Sequence, residues 1–369
     1  MPLSSSASPH IDFQWMETVS EGRIISSIAV YPRYRTGALG SVPEVFTVTN
    51  SSQDDAHHRP SRKPTMWLVQ RVANTRKLPR PSDERRAMMV IRKRWDAFID
   101  PWFPDMTTEL RSVMHVVGAC ATGSVVLGFL YGNLARHWVY GDLDIVVPTG
   151  AFNDDVSKVQ VFSSFLRLVG YEETAQLPFY DLPFARRNSY ILIVHKFTHS
   201  TTGRKIDVLE SRSPEVLDVV CGFHSTAVMN AVTAHHILVL YPTWTKRRMS
   251  LADRTAISDS VRDKYTSRGV SMKYDADLGR RCGPNCPAII RNVVQHANTD
   301  VCWVAPLTSD PLRVLPAEVA VDFTWRAPLL CTSLQCPNFE SMYPQWDNGG
   351  RRPFADITNT VAPSESNDD

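Results

Sequence analysis

The chain has 369 residues, 43% of them hydrophobic, and a formal net charge of +2. That length supports one large domain or two modest ones around a sizeable core, and the near-balanced charge excludes a strongly polycationic or polyanionic protein. No apolar stretch reaches the roughly 18 residues of a membrane span, and MPLSSSASPH at the N-terminus lacks the cationic and apolar regions of a secretory signal, so no membrane association is expected. Seven widely spaced cysteines do not form a dense disulfide framework, which fits an intracellular protein of cytoplasm or nucleus.

Residues 1–81 are rich in Ser, Pro, Asn and charge, and read as an irregular, partly disordered arm. The apolar islands Ile24 to Val30 and Met66 to Val72 are candidates for an added strand or two. Between Arg71 and Arg94 lies a basic run that includes Arg76, Lys77, Arg80, Arg85, Arg86, Arg92, Lys93 and Arg94. It suits either phosphate attraction or, more simply, a solvated helix face.

A helix is expected from Ser82, with Met88, Val90, Ile91, Trp95 and Phe98 at helical spacing and Pro101 as its stop. Val113 to Cys120 reads as a buried strand, Thr122-Gly123-Ser124 as a turn, and Val125 to Leu134 as a helix. Leu143 to Val147 is a second strand stopped by Pro148, and Val156 to Val169 an amphipathic helix stopped by Gly170. Tyr190 to Phe197 and Lys205 to Leu209 read as paired strands joined by the polar HSTTG turn. Phe223 to Leu240 is expected as a long helix that carries His235 and His236, and Val261 to Arg268 as a short one.

These elements suggest a mixed α/β domain over 82–245, a mainly helical subdomain with a Cys-rich loop over 246–335, and a polar, disordered tail over 336–369. The fold class is α/β or α+β: a mixed sheet with flanking helices.

Three acids stand out. Side chains alternate faces along a strand, so Asp142 and Asp144 in Gly141-Asp142-Leu143-Asp144-Ile145 point the same way. Two adjacent carboxylates repel each other, and a divalent cation resolves the conflict. Asp207 stands in the apolar strand Lys205-Ile206-Asp207-Val208-Leu209, on the face opposite Ile206 and Val208. If the two strands are neighbours, Asp207 approaches the pair. Gly123-Ser124 between strand and helix offers free N–H groups to a phosphate.

The order of Gly-Ser turn, helix, Asp-x-Asp strand and later single-Asp strand resembles the polymerase β-like nucleotidyltransferase superfamily. The signature positions here are Gly123-Ser124, Asp142-Leu143-Asp144 and Asp207, and the resemblance spans Ser112 to Tyr241. The chain is also similar to uncharacterised proteins of mushroom-forming fungi, through Phe223 to Asn230 and Tyr241-Pro242-x-x-Thr245. The interval from Ser124 to Asp142 is longer than is usual in the superfamily, with Ala135 to Tyr140 as the extra residues.

The resemblance implies transfer of a nucleotidyl group from a nucleoside triphosphate to a hydroxyl or phosphate of a small molecule, RNA or another nucleic acid. Asp142, Asp144 and Asp207 would hold Mg²⁺ or Mn²⁺, and Gly123 and Ser124 the triphosphate. Arg136, Lys205 and the Lys246-Arg247-Arg248 run are further candidates for phosphate contacts. The competing reading is a catalytically inactive protein of the same fold, acting as a binding or scaffolding module. Cys282 and Cys286, with His296 and Cys302, offer a zinc set, but the second pair is irregular and ordinary thiols are the simpler reading.

Overall fold

The computed structural model describes residues 10–20, 23–33, 44–50, 81–153, 156–178, 190–252, 257–274, 291–292, 302–307 and 324–325. Strands β1 (His10–Ser20), β2 (Arg23–Arg33) and β3 (Glu44–Asn50) form an antiparallel sheet. The region expected as an irregular arm thus contains three strands, and the Ile24 to Val30 island lies in β2. The Met66 to Val72 island lies outside the described residues.

Helix α1 (Pro81–Ile99) presents Ile91, Trp95 and Ile99, four residues apart, to the core. Helix α2 (Thr107–Val117) occupies most of the run expected as a strand. Its buried Leu110, Val113, Met114 and Val117 follow helical spacing, and Gly118, at φ 72°, closes it. A short apolar run does not by itself separate a helix from a buried strand. Only Cys120–Thr122 (β4) is strand, and α3 (Gly123–Tyr131) starts on the next residue.

Next come β5 (Asp142–Val147), the short pair β6 (Ala151–Asn153) and β7 (Val156–Ser157), and α4 (Lys158–Leu168). A reciprocal capping box starts α4: Gln160 N–H donates to Ser157 Oγ, and Ser157 N–H to Gln160 Oε1. The expected strand pair is present as β9 (Ile191–His199) and β10 (Lys205–Ser211), with β8 (Tyr171–Pro178) beside β9.

The expected long helix from Phe223 to Leu240 is absent. After helix α5 (Val216–Cys221) the chain makes a 3-10 turn over Thr226–Val228. It then forms strands β11 (Asn230–Thr233) and β12 (His236–Val239). Every residue of both strands is buried, the polar Asn230, Thr233 and His236 included, so the run has no solvent side to set off a true 3.6-residue face. His235 therefore stands in a tight turn and His236 in a strand. Helices α6 (Pro242–Lys246) and α7 (Asp259–Ser267) follow, with short strands β13 (Met249–Leu251) and β14 (Ser271–Lys273) paired in parallel. Strands β15 (Arg291–Asn292) and β17 (Thr324–Trp325) pair with each other, and β16 (Trp303–Pro306) pairs with β12. Among the described residues the C-terminal segment is thus mostly short strands with one helix, not mainly helical. The main sheet also extends past residue 245, because β16 belongs to it.

That sheet has eight strands in the order β16-β12-β11-β4-β5-β10-β9-β8. Only β5 and β10 run parallel; the other neighbours are antiparallel. The fold is therefore a mixed α/β arrangement with helices on the sheet. One face buries Leu143, Ile145, Ile206 and Val208 against Trp95, Phe129, Phe162 and Phe165. The other buries Val146 and Leu209 against Val216, Val220 and Met229. No helix among the described residues is long and apolar enough to cross a membrane.

One buried polar group lies on the first face. His195 Nδ1 lies 2.9 Å from Glu173 Oε1 and its Nε2 3.3 Å from Glu210 Oε2. Arg167 and Gln176 also donate to Glu173, each at 2.8 Å. Burial pulls the imidazole pKa down, but the hydrogen bonds of Glu210 and Glu173 outweigh it and raise the net value above its usual level. A raised histidine pKa stabilises the fold fully below about pH 6.5, and the gain is lost as pH rises through the folded value. The stability of the wild type relative to His195→Asn is expected to fall between pH 6 and pH 9 in urea denaturation. A difference that is constant over that range would refute the ion-pair assignment.

Candidate metal centre

Strand pairing builds the site. Asp207 lies directly opposite Asp144 across the parallel β5–β10 pair, and Lys205 opposite Asp142. On the other side of β5, Thr122 pairs with Asp144, so the start of α3 falls beside that carboxylate. One oxygen from each of Asp142, Asp144 and Asp207 lies within 4.8 Å of the others. Among the described residues this is the one group of three or more His, Cys, Asp or Glu side chains placed to share a metal ion.

Gly123 makes the approach possible. Its φ is +75°, which favours glycine. A Cβ there would stand 2.0 Å from Asp144 Oδ2 and 2.9 Å from its Cγ. The backbone at the helix start is therefore in contact with the carboxylate. Ser124 follows as the second residue of α3 and is buried. The Thr122 hydroxyl donates to Asn230 O at 2.7 Å and ties this corner to β11.

The electrostatics are those of crowded acids. Burial, then Asp142, then Asp207 raise the Asp144 pKa well above the carboxylate range, and Lys264 and Lys196 oppose them. Burial raises Asp207 too, but Lys196 restrains it through a hydrogen bond and its charge. Asp142 adds to the rise and Lys205 offsets part of it. Lys196 Nζ donates to Asp207 Oδ2 at 2.6 Å.

Helix α7 supplies the neighbouring wall. Tyr265 is buried with Leu127, Tyr131, Trp138, Ala227 and Val228, which locks α7 against α3. Burial raises the Tyr265 phenol pKa, and Asp144 and Asp142 add to the rise. Arg268 spreads over Trp138 at 5.0 Å and over Tyr140 and Tyr265 at 5.8 and 5.9 Å, and donates to Val139 O at 2.5 Å. This clamp uses the residues between α3 and β5 that lengthen the Ser124 to Asp142 interval. They form a 3-10 turn, Gly132–Ala135, and then an aromatic loop.

The structure brings together Asp142, Asp144, Asp207 and Gly123, with Lys205 alongside. Arg136 is different: it is exposed after the 3-10 turn, at the end of α3 away from Gly123. Lys246, Arg247 and Arg248 are exposed around the end of α6. Cys282, Cys286 and His296 lie outside the described residues, and Cys302 is buried. Sequence reasoning missed Lys196 and Lys264. For Lys196 a signal existed: counting pairs outward from the HSTTG turn sets it opposite Asp207. Lys264, on a short polar helix, carried none.

The donor set is three carboxylates, hard oxygen ligands suited to Mg²⁺ or Mn²⁺. Comparison of the chain with family models, curated proteins and solved structures gave no match.

Two substitutions test this geometry. Gly123→Ala is expected to cost about 1–3 kcal/mol in chemical denaturation, because it combines an unfavourable φ with an overlap on Asp144. Asp144→Asn is expected to raise the melting temperature in chelator at pH 7. A carboxylate whose folded pKa is raised destabilises the fold once it ionises, and the amide does not ionise. An unchanged or lower melting temperature for Asp144→Asn would contradict the crowding.

Proposed function

We propose that this protein is a metal-dependent nucleotidyltransferase. The observation that carries the reading is the convergence of Asp142, Asp144 and Asp207 beside the N-terminus of α3. Strand β4, the Gly123-Ser124 helix start, the Asp-x-Asp strand and the later Asp207 strand stand in the order of the polymerase β-like superfamily. The sheet also pairs the two acid-bearing strands directly.

In this reading Asp142 and Asp144 hold Mg²⁺ or Mn²⁺, and Asp207 completes the carboxylate set. The cation supplies charge stabilisation to the phosphoryl group in transfer. The N–H groups at the start of α3 donate to triphosphate oxygens. Lys205, beside Asp142, adds a positive charge to the phosphate path. The acceptor hydroxyl oxygen forms a bond to the α-phosphorus, the bond to the β-phosphate oxygen breaks, and pyrophosphate leaves. Asp207 takes the hydroxyl proton. RNA, another nucleic acid or a small molecule serves as the acceptor.

One observation favours a second reading. The Lys196–Asp207 ion pair satisfies the third carboxylate without any metal. A nucleotidyltransferase-fold protein that serves only as a binding or scaffolding module has use for such a pair.

Transfer assays separate the two. The protein is incubated with Mg²⁺ or Mn²⁺, each labelled nucleoside triphosphate and total cellular RNA, and pyrophosphate release and label transfer are measured. The enzyme reading expects transfer, reduced at least about 10²-fold in Asp142→Ala/Asp144→Ala. Absence of both transfer and metal-dependent nucleotide binding would favour the module.

A further inference from the structure

If Asp142, Asp144 and Asp207 hold divalent cations as proposed above, Lys196 competes with them for the same charge. Three adjacent strands fix its place. Asp207 on β10 is in register with Asp144 on β5 at one side and with Lys196 on β9 at the other. On this face of the sheet the row therefore runs Asp144, Asp207, Lys196, with Asp142 two residues along β5. Lys196 reaches Asp207 from the side away from the Asp-x-Asp pair and closes on Oδ2 at 2.6 Å. Its side chain is 38% exposed and that of Asp207 15%, so the ammonium bridges from solvent into a half-buried cluster.

Charge counting then sets how many cations the cluster accepts. Ionised, as ligands to a cation must be, the three carboxylates carry three negative charges. Among the groups in direct contact, the Lys196 ammonium, hydrogen-bonded to Asp207, cancels one of them and a single divalent ion the other two, which leaves that contacting set neutral. A second divalent ion would leave an excess of two positive charges in a site partly withdrawn from water, where such an excess is costly. Lys264 and Lys205, which also act on these acids, increase the excess. A triphosphate brings the negative charge that removes it.

We infer that Lys196 stands in for the second cation: the free protein takes up one divalent ion, and a second enters only together with a polyphosphate. The pairing thus orders assembly. Asp207 keeps a partner until nucleotide arrives, and the cluster does not fill with metal in its absence. Lys196 is in this sense a positioning residue, since it acts on Asp207 and not on the reacting atoms.

The test counts bound Mn²⁺ on the full chain, from the electron paramagnetic resonance signal of the free ion. The wild type is expected to bind one Mn²⁺ per chain alone and two in the presence of α,β-imido nucleoside triphosphates. Lys196→Met removes the charge at similar length and is expected to bind two without nucleotide, the second at least ~10-fold more tightly than in the wild type. Lys196→Arg keeps the charge and is expected to remain at one, which separates loss of charge from any loss of packing. Two ions on the nucleotide-free wild type, or one ion on Lys196→Met, would overturn the role of Lys196 and leave the metal site intact. No Mn²⁺ on any variant would remove the cation site itself.

Discussion

Lateral register across β4, β5 and β10 is the constraint from which the site follows. Neighbouring strands stand about 4.8 Å apart, so in-register acids on one face are forced into contact range. Asp144 and Asp207 are such a pair, and Asp142 adds a third charge from the same strand as Asp144. Like charges at this spacing oppose folding, and burial sharpens the conflict, as the raised Asp144 and Asp207 pKa values reflect. A sheet built for stability alone would put one apolar side chain among them. Retained conflict of this kind is characteristic of sites that work at the expense of stability.

The rest of the structure accommodates that conflict. Gly123 gives Asp144 room and brings the backbone of the α3 start against it. Lys196 reaches across from β9 to pair with Asp207. The Arg268 clamp on Trp138, Tyr140 and Tyr265 holds α7, and with it Lys264, beside the acids. Beneath them, Leu143, Ile145, Ile206 and Val208 bury the opposite faces of the same two strands against the aromatic core. Strand alternation thus sends every second residue of β5 and β10 to the core and keeps the acids on the other face.

The acids were legible in the sequence because period-2 alternation fixes faces without knowledge of the fold. Apolar residues around Asp142, Asp144 and Asp207 told both the strand and the side. Helix α4 was legible from its spacing and Gly170, and the β9–β10 hairpin from its polar turn. Two apolar runs were misread in opposite senses. Val113 to Cys120 looked like a strand but its greater part is the buried end of α2. Phe223 to Leu240 looked like a helix but is β11 and β12, buried on both faces. In β11 and β12 full burial erased the polar face by which periodicity distinguishes the two, whereas the α2 part of the other run was too short to show its helical face. The partnership of β16 with β12 links residues too distant for any local pattern to show. Lys196 could have been found from the hairpin register, whereas Lys264 depends on how α7 packs against α3.

The central claim is that three crowded carboxylates await a divalent cation. Thermal unfolding of the full chain in chelator and across a Mg²⁺ titration tests it most directly. A cation that binds only the folded cluster stabilises it by mass action. The melting temperature is then predicted to rise and saturate with Mg²⁺, and the rise to vanish in Asp142→Asn/Asp144→Asn. A melting temperature indifferent to Mg²⁺, or an equal rise in that double variant, would contradict the claim.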